Sequence, residues 1–98
     1  MPRKVDTNHR EIIAEFRRKG AKVEDTHALP GFVDCVVSYR GLAKLIEIKH
    51  GKGKLTQSQK RLQDEHGDAF AVERDETDVQ NVMDELLIKS DKVKETWE

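Results

Sequence analysis

The chain has 98 residues, 36% apolar and 38% charged, enough for one small domain with a modest core and a heavily charged surface. A single cysteine, Cys35, excludes an intramolecular disulfide, and no apolar run approaches membrane-spanning length. The net charge of −1 conceals a split: residues 1–61 carry 14 Lys and Arg against 7 Asp and Glu, whereas residues 62–98 carry 4 against 12.

In chain order, MPRKVDTNHR lacks the apolar core of a signal segment. Residues 8–19 predict a helix with an apolar stripe of Ile12, Ile13 and Phe16. Asn8 and Glu11 have the spacing of a capping pair, and Gly20 is placed to end the helix. Residues 21–25 are a short strand candidate, and Pro30-Gly31 marks a turn. Residues 32–39 and 43–50, rich in Val and Ile, predict two antiparallel strands joined through Arg40-Gly41-Leu42. Gly51-Lys52-Gly53-Lys54 reads as a flexible basic loop. Thr56 then opens a helix to about Glu65, with Gln59 at the third position of a capping box. Residues 69–73 predict a strand, and residues 77–89 a helix in which Val79, Val82, Met83 and Leu86 recur at helical spacing. The tail, 90–98, has no continuous stripe, although Trp97 could anchor it. The connection from the second hairpin strand to the last strand is long enough for a parallel crossover. The expected fold is therefore α/β in the broad sense (α+β), a single domain with a mixed sheet flanked by helices.

Chemistry concentrates in the hairpin. Alternation puts Glu47 and Lys49 on one face of its second strand. Asp34 lies on the facing strand among Phe32, Val33, Cys35 and Val36. Carboxylates in so apolar a stretch are costly to bury unless paired or bound to a cation. Two of them converging beside a lysine form a place for a divalent metal and a phosphate. A salt bridge on an edge strand is the plainer alternative.

These residues carry a resemblance. Asp34, a spacer and Glu47-Ile48-Lys49 resemble the signature of the PD-(D/E)XK nucleases. Gly31-Phe32-Val33-Asp34, Ile46-Glu47-Ile48-Lys49 and Leu55-Thr56-Gln57-Ser58-Gln59 narrow it to small bacteriophage-type members of the VRR-NUC family, over roughly residues 6–87. Val33 stands where that family usually has a proline that is not itself a ligand. The resemblance implies a restriction-endonuclease-like core and a metal-dependent DNA endonuclease. Its cofactor would be Mg2+ or Mn2+, and its substrate structured DNA such as branches or four-way junctions. Asp34, Glu47 and the Ile48 carbonyl would hold the metal, with Glu11, or Asp6 as a rival, completing the shell. Lys49 would face the scissile phosphate. Gln59 would orient a water or contact phosphate, unless it serves only as the capping partner of Thr56. Lys52, Lys54, Lys60, Arg17 and Arg18 would contact DNA phosphates, or simply solvate the surface.

Two other classes stay open: a non-catalytic nucleic-acid-binding protein on the same fold, and a small toxin-like or structural phage protein with a solvated charged face. Cys35 is expected to be a small buried hydrophobe in a cytoplasmic protein. His9, His27, His50 and His66 invite a zinc hypothesis, but none has zinc-motif spacing. Leu87, Ile88, Val93 and Trp97 exceed what the core needs and suggest a homodimer contact.

Overall fold

The computed structural model describes residues 7–97 and the side chains of residues 8–93. Asp6 and the Trp97 side chain lie outside that range. The elements run α1 (Thr7–Arg18), β1 (Lys22–Asp25), β2 (Cys35–Tyr39), β3 (Leu42–Ile48), α2 (Gln57–His66), β4 (Phe70–Glu73) and α3 (Glu76–Trp97), with a short 3-10 turn, Gly67–Ala69, before β4. They form a mixed four-stranded sheet in the order β1-β2-β3-β4. The pairs β1/β2 and β2/β3 are antiparallel and β3/β4 is parallel. The expected mixed α+β architecture is the observed one.

Helix α1 ends as Gly20 predicts. With φ +96, Gly20 turns the chain so that Ala21 N–H donates to Phe16 O at 3.1 Å and Gly20 N–H to Arg17 O at 3.0 Å, the double closure of a Schellman motif. The hairpin closes more tightly than expected. Tyr39 pairs with Leu42, leaving the two-residue turn Arg40-Gly41 with φ 52 and 84. Positive φ at both positions is what lets the turn match the twist of its strands.

Four expectations need correction. β3 ends at Ile48, so Lys49 and His50 lie beyond the strand expected over 43–50. Residues 32–34 are not part of β2, because the chain is still in a bend at Asp34. Asn8 does not cap α1. It lies inside the helix, and its side-chain amide donates to Lys49 O at 3.0 Å. Helix α3 continues well past residue 89. It begins one residue early because Asp75 accepts Asp78 N–H at 3.0 Å while the Asp78 carboxylate reaches back to Arg74 N–H at 2.7 Å.

Two apolar layers enclose the sheet. On one face Ile12, Ile13 and Phe16 of α1 and Val79, Val82, Met83 and Leu86 of α3 bury Val23, Cys35, Val37 and Ile46. On the other, Leu62 of α2 packs with Val33 and Phe70, flanked by Phe32, Val36, Leu45, Leu55 and Val72. Val33 thus has a packing role of its own. Leu87, Ile88 and Val93 are exposed on α3, but at about 3.6 residues per turn they point in different directions rather than forming one seam. Among the described residues, no helix is long and apolar enough to cross a membrane.

Candidate active site

The antiparallel register of β2 and β3 pairs Val36 with Leu45 and Cys35 with Ile46. Beyond Cys35 the regular ladder breaks: Asp34 N–H donates to Ile46 O at 3.1 Å, one residue off the Cys35–Ile46 register. Leu45 and Glu47 lie on the face covered by α2 with Val36, and the Asp34 carboxylate reaches Glu47 from the adjoining bend. Asp34 is fixed by a bond of its own: its Oδ2 accepts Ile48 N–H at 2.8 Å. The carboxylate takes the place of a ladder acceptor, because the Asp34 carbonyl is engaged by Thr26 N–H at 2.9 Å.

Glu47 is 3% exposed. Its Oε1 accepts from Gln59 Nε2 at 2.5 Å and lies 3.7 Å from Lys49 Nζ. Its Oε2 is buried and has no hydrogen-bond partner. Burial, followed by the neighbouring Asp34 charge, pushes the Glu47 carboxyl up to about 7, against the opposing pull of Lys49. Burial and the neighbouring carboxylate together favour the neutral form of Glu47 and leave one of its oxygens without a partner.

Gln59 makes the capping bonds that the sequence allows and a second contact besides. Its Oε1 accepts Thr56 N–H at 2.8 Å and its N–H donates to Thr56 Oγ1 at 3.3 Å, completing the capping box. Its Nε2 is then left to hold Glu47. Glu11, three residues from Asn8 on the same side of α1, is exposed.

The expected basic contacts divide. Lys52 and Lys54 are exposed on the loop that leaves β3, and Lys60 is exposed one residue beyond Gln59. Arg17 and Arg18 are at the opposite end of α1 from Asn8. There Arg17 donates to Val23 O at 3.2 Å and Arg18 pairs with Glu15. The sequence reading missed Arg74. Its guanidinium donates to Gly51 O at 2.6 Å and Gly53 O at 2.8 Å, so the basic loop is clamped from the end of β4. The parallel pairing of Ile48 with Glu73 is what brings these segments together.

Two further polar groups escaped prediction. Glu73 is 1% exposed on the α1/α3 face, its Oε2 without a hydrogen-bond partner. Burial first, then the Asp78 charge, pushes it up to about 8, while Lys44 acts in the opposite sense. Lys44, also buried, is ion-paired with Glu85. Cys35 is fully buried, and burial pushes its thiol up to about 12, as suits a small inert hydrophobe. The zinc argument from spacing fails for one pair: the fold brings His9 and His27 together around Asp25. No protein-family model, curated protein or solved structure matches this chain.

Proposed function

We propose that this protein is a divalent-metal-dependent DNA endonuclease with Asp34, Glu47 and Lys49 as its reactive set. The observation that carries the reading is Glu47 Oε2, a buried carboxylate oxygen without a partner beside a second carboxylate. The donors are all oxygens, which suits Mg2+ or Mn2+. Ile48 turns its N–H to Asp34, and in an extended strand the carbonyl of the same residue faces the same edge. Asp34, Glu47 and the Ile48 carbonyl would hold the ion, with Glu11 a further candidate. A bound divalent cation lowers the pKa of its water and polarises a phosphoryl oxygen.

The chain's own residues supply the remainder. Lys49, held near Glu47 with its side chain 16% exposed, can turn its ammonium to the phosphate and offset charge developing there. Gln59 fixes the Glu47 carboxylate so that Oε2, not Oε1, is offered. Lys52, Lys54 and Lys60 would line the approach of a polyanion, with Arg74 holding the first two in place. Branched or four-way-junction substrates are part of the proposal on the strength of the family resemblance alone, a cytoplasmic setting on the single cysteine, and a homodimer on the small surface that 98 residues present to a branched substrate.

The test is incubation of the protein with linear, nicked, single-stranded and four-way-junction DNA, with and without Mg2+ or Mn2+. Metal-dependent cutting that disappears in Asp34→Asn supports the reading. Salt-sensitive DNA binding without cutting would replace it with a non-catalytic nucleic-acid-binding protein. Neither binding nor cutting would remove nucleic acid from the account.

A further inference from the structure

His9 is the third residue of α1, Asp25 is the last residue of β1, and His27 lies in the turn that follows. One donor atom from each lies within 4.8 Å of the others. His9 Nε2 is 3.4 Å from Asp25 Oδ2. His27 Nδ1 is 2.6 Å from Asp25 Oδ1. The two rings meet edge to face, centroids 5.0 Å apart at 67°. We propose that His9, Asp25 and His27 form a transition-metal site of the zinc class, separate from the carboxylate pair at Asp34 and Glu47.

Geometry and donor type both favour this. Zinc holds imidazole nitrogen and carboxylate oxygen at about 2.0–2.2 Å, so tetrahedral neighbours on the ion stand about 3.4 Å apart. The His9–Asp25 separation already has that value. The shorter His27–Asp25 contact is a hydrogen bond, and it opens when the ion replaces the shared proton. Two imidazoles with one carboxylate suit zinc, cobalt or nickel, whereas magnesium takes oxygen. The all-oxygen pair at Asp34 and Glu47 and this nitrogen-rich trio would thus sort different ions.

Three protein ligands leave a fourth position. Beside the cluster lies a surface depression of about 480 Å3 lined by His9, Arg10, Ile13, Ala14, Arg17 and Asp25. A water on the ion can face that space, and the two arginines make it suited to a small anion. The ligands are also positioned in advance. His27 N–H donates to Asp25 Oδ1 at 3.2 Å. Thr26, between them, closes the loop base through its Oγ1 to Val33 O at 2.7 Å and its N–H to Asp34 O at 2.9 Å.

The cluster adjoins the candidate active site through single residues. Asn8, next to His9, donates to Lys49 O, and Thr26, next to His27, donates to Asp34 O. A metal here would join α1, β1 and the loop that sets Asp34. The site does not depend on the nuclease reading, since it can bind metal whether or not the protein cuts DNA.

Cobalt is the probe, because tetrahedral Co2+ absorbs in the visible range. The wild-type chain should bind one equivalent of Co2+ with that spectrum, and Zn2+ should displace it. His27→Asn and His9→Gln should each weaken Co2+ by more than the roughly 10–100-fold typical of losing an outer-shell partner. The double variant Asp34→Asn/Glu47→Gln should keep the tetrahedral Co2+ spectrum of the wild type. His27 is less buried than His9, so His27→Asn decides the matter if the buried His9→Gln fails to fold. Absence of stoichiometric Co2+ or Zn2+ binding, wild-type affinity in His27→Asn, or loss confined to the carboxylate variant would each overturn the proposal.

Discussion

Glu47 and Glu73 sit one residue out of register on neighbouring parallel strands, on opposite faces of the sheet. Both are almost fully buried, both keep an Oε2 without a hydrogen-bond partner, and both are pushed well above the ordinary carboxylate range. They differ in their company. Glu73 has both an acid, Asp78, and a buried cation, Lys44, in its surroundings, and that cation is already ion-paired with Glu85. Glu47 faces a second acid, Asp34, and has its one lysine at the longer distance of 3.7 Å. A polar cluster under a helix and an acidic pair at a strand end are equally buried, and on the proposed function only the second would take up a cation from outside.

The largest effect should come from breaking the acidic pair. Glu47→Gln and Lys49→Ala should each lower Mg2+-dependent cleavage about 100–1000-fold, while Glu73→Gln cuts at the wild-type rate. Equal losses at both glutamates in a nuclease assay would erase the distinction. Metal should also separate them through stability. Free Mg2+ at about 100 times its dissociation constant should add about 2.7 kcal/mol to unfolding. Urea titrations should find that gain in Glu73→Gln and not in Glu47→Gln.

Acidity gives a smaller and broader signature. A carboxyl whose folded pKa is raised binds its proton more tightly folded than unfolded. Stability is then greatest at low pH and falls as pH rises from the unfolded value, near 4.5, through the folded values of about 7 for Glu47 and about 8 for Glu73. Each group contributes a slope of up to about 1.4 kcal/mol per pH unit in its own window. Denaturation followed across that range without metal should slope downward, and saturating Mg2+ should flatten the part owed to Glu47. A rise instead would contradict both assignments. The smallest expected change is at Glu73 itself. Glu73→Gln should stabilise the chain by about 1 kcal/mol above pH 8, because a neutral amide avoids a buried charge that Lys44 only partly offsets. A loss of stability there, measured by urea unfolding, would mean that the Glu73 charge is better paired than its surroundings suggest.

How much of this was legible depends on how far each feature reaches along the chain. Alternation over a few residues was enough to bring Glu47 and Lys49 together, 3.7 Å apart. Periodicity could not foresee that Asp34 lies in a bend and satisfies Ile48 N–H with its side chain, because that exchange depends on Thr26 having taken the Asp34 carbonyl. The Gly20 stop and the Thr56–Gln59 box were readable because each is closed within a few residues. The start of α3 was local as well, since Asp75 and Asp78 advertise it; Thr77 was the less telling signal. Lys44, Glu73 and Glu85 come from three separate elements, and only the packing of α3 on the sheet joins them. His9 and His27 were hidden for the same reason, since a spacing rule sees one segment and their meeting depends on how α1 packs against β1.

Gln59 has a consequence for how freely the chain can vary. Its side chain needs an acceptor at one tip for Thr56 N–H and a donor at the other for Glu47, at a reach fixed by its place in the first turn of α2. Glutamate could cap the helix but would face Glu47 with a second negative charge. Asparagine has the right chemistry and one methylene too few. Lysine could reach Glu47 but would leave Thr56 N–H without its acceptor. Either task alone would admit several side chains. Together they leave a vocabulary of one, so this position holds more information than its exposure on the rim of a helix would suggest.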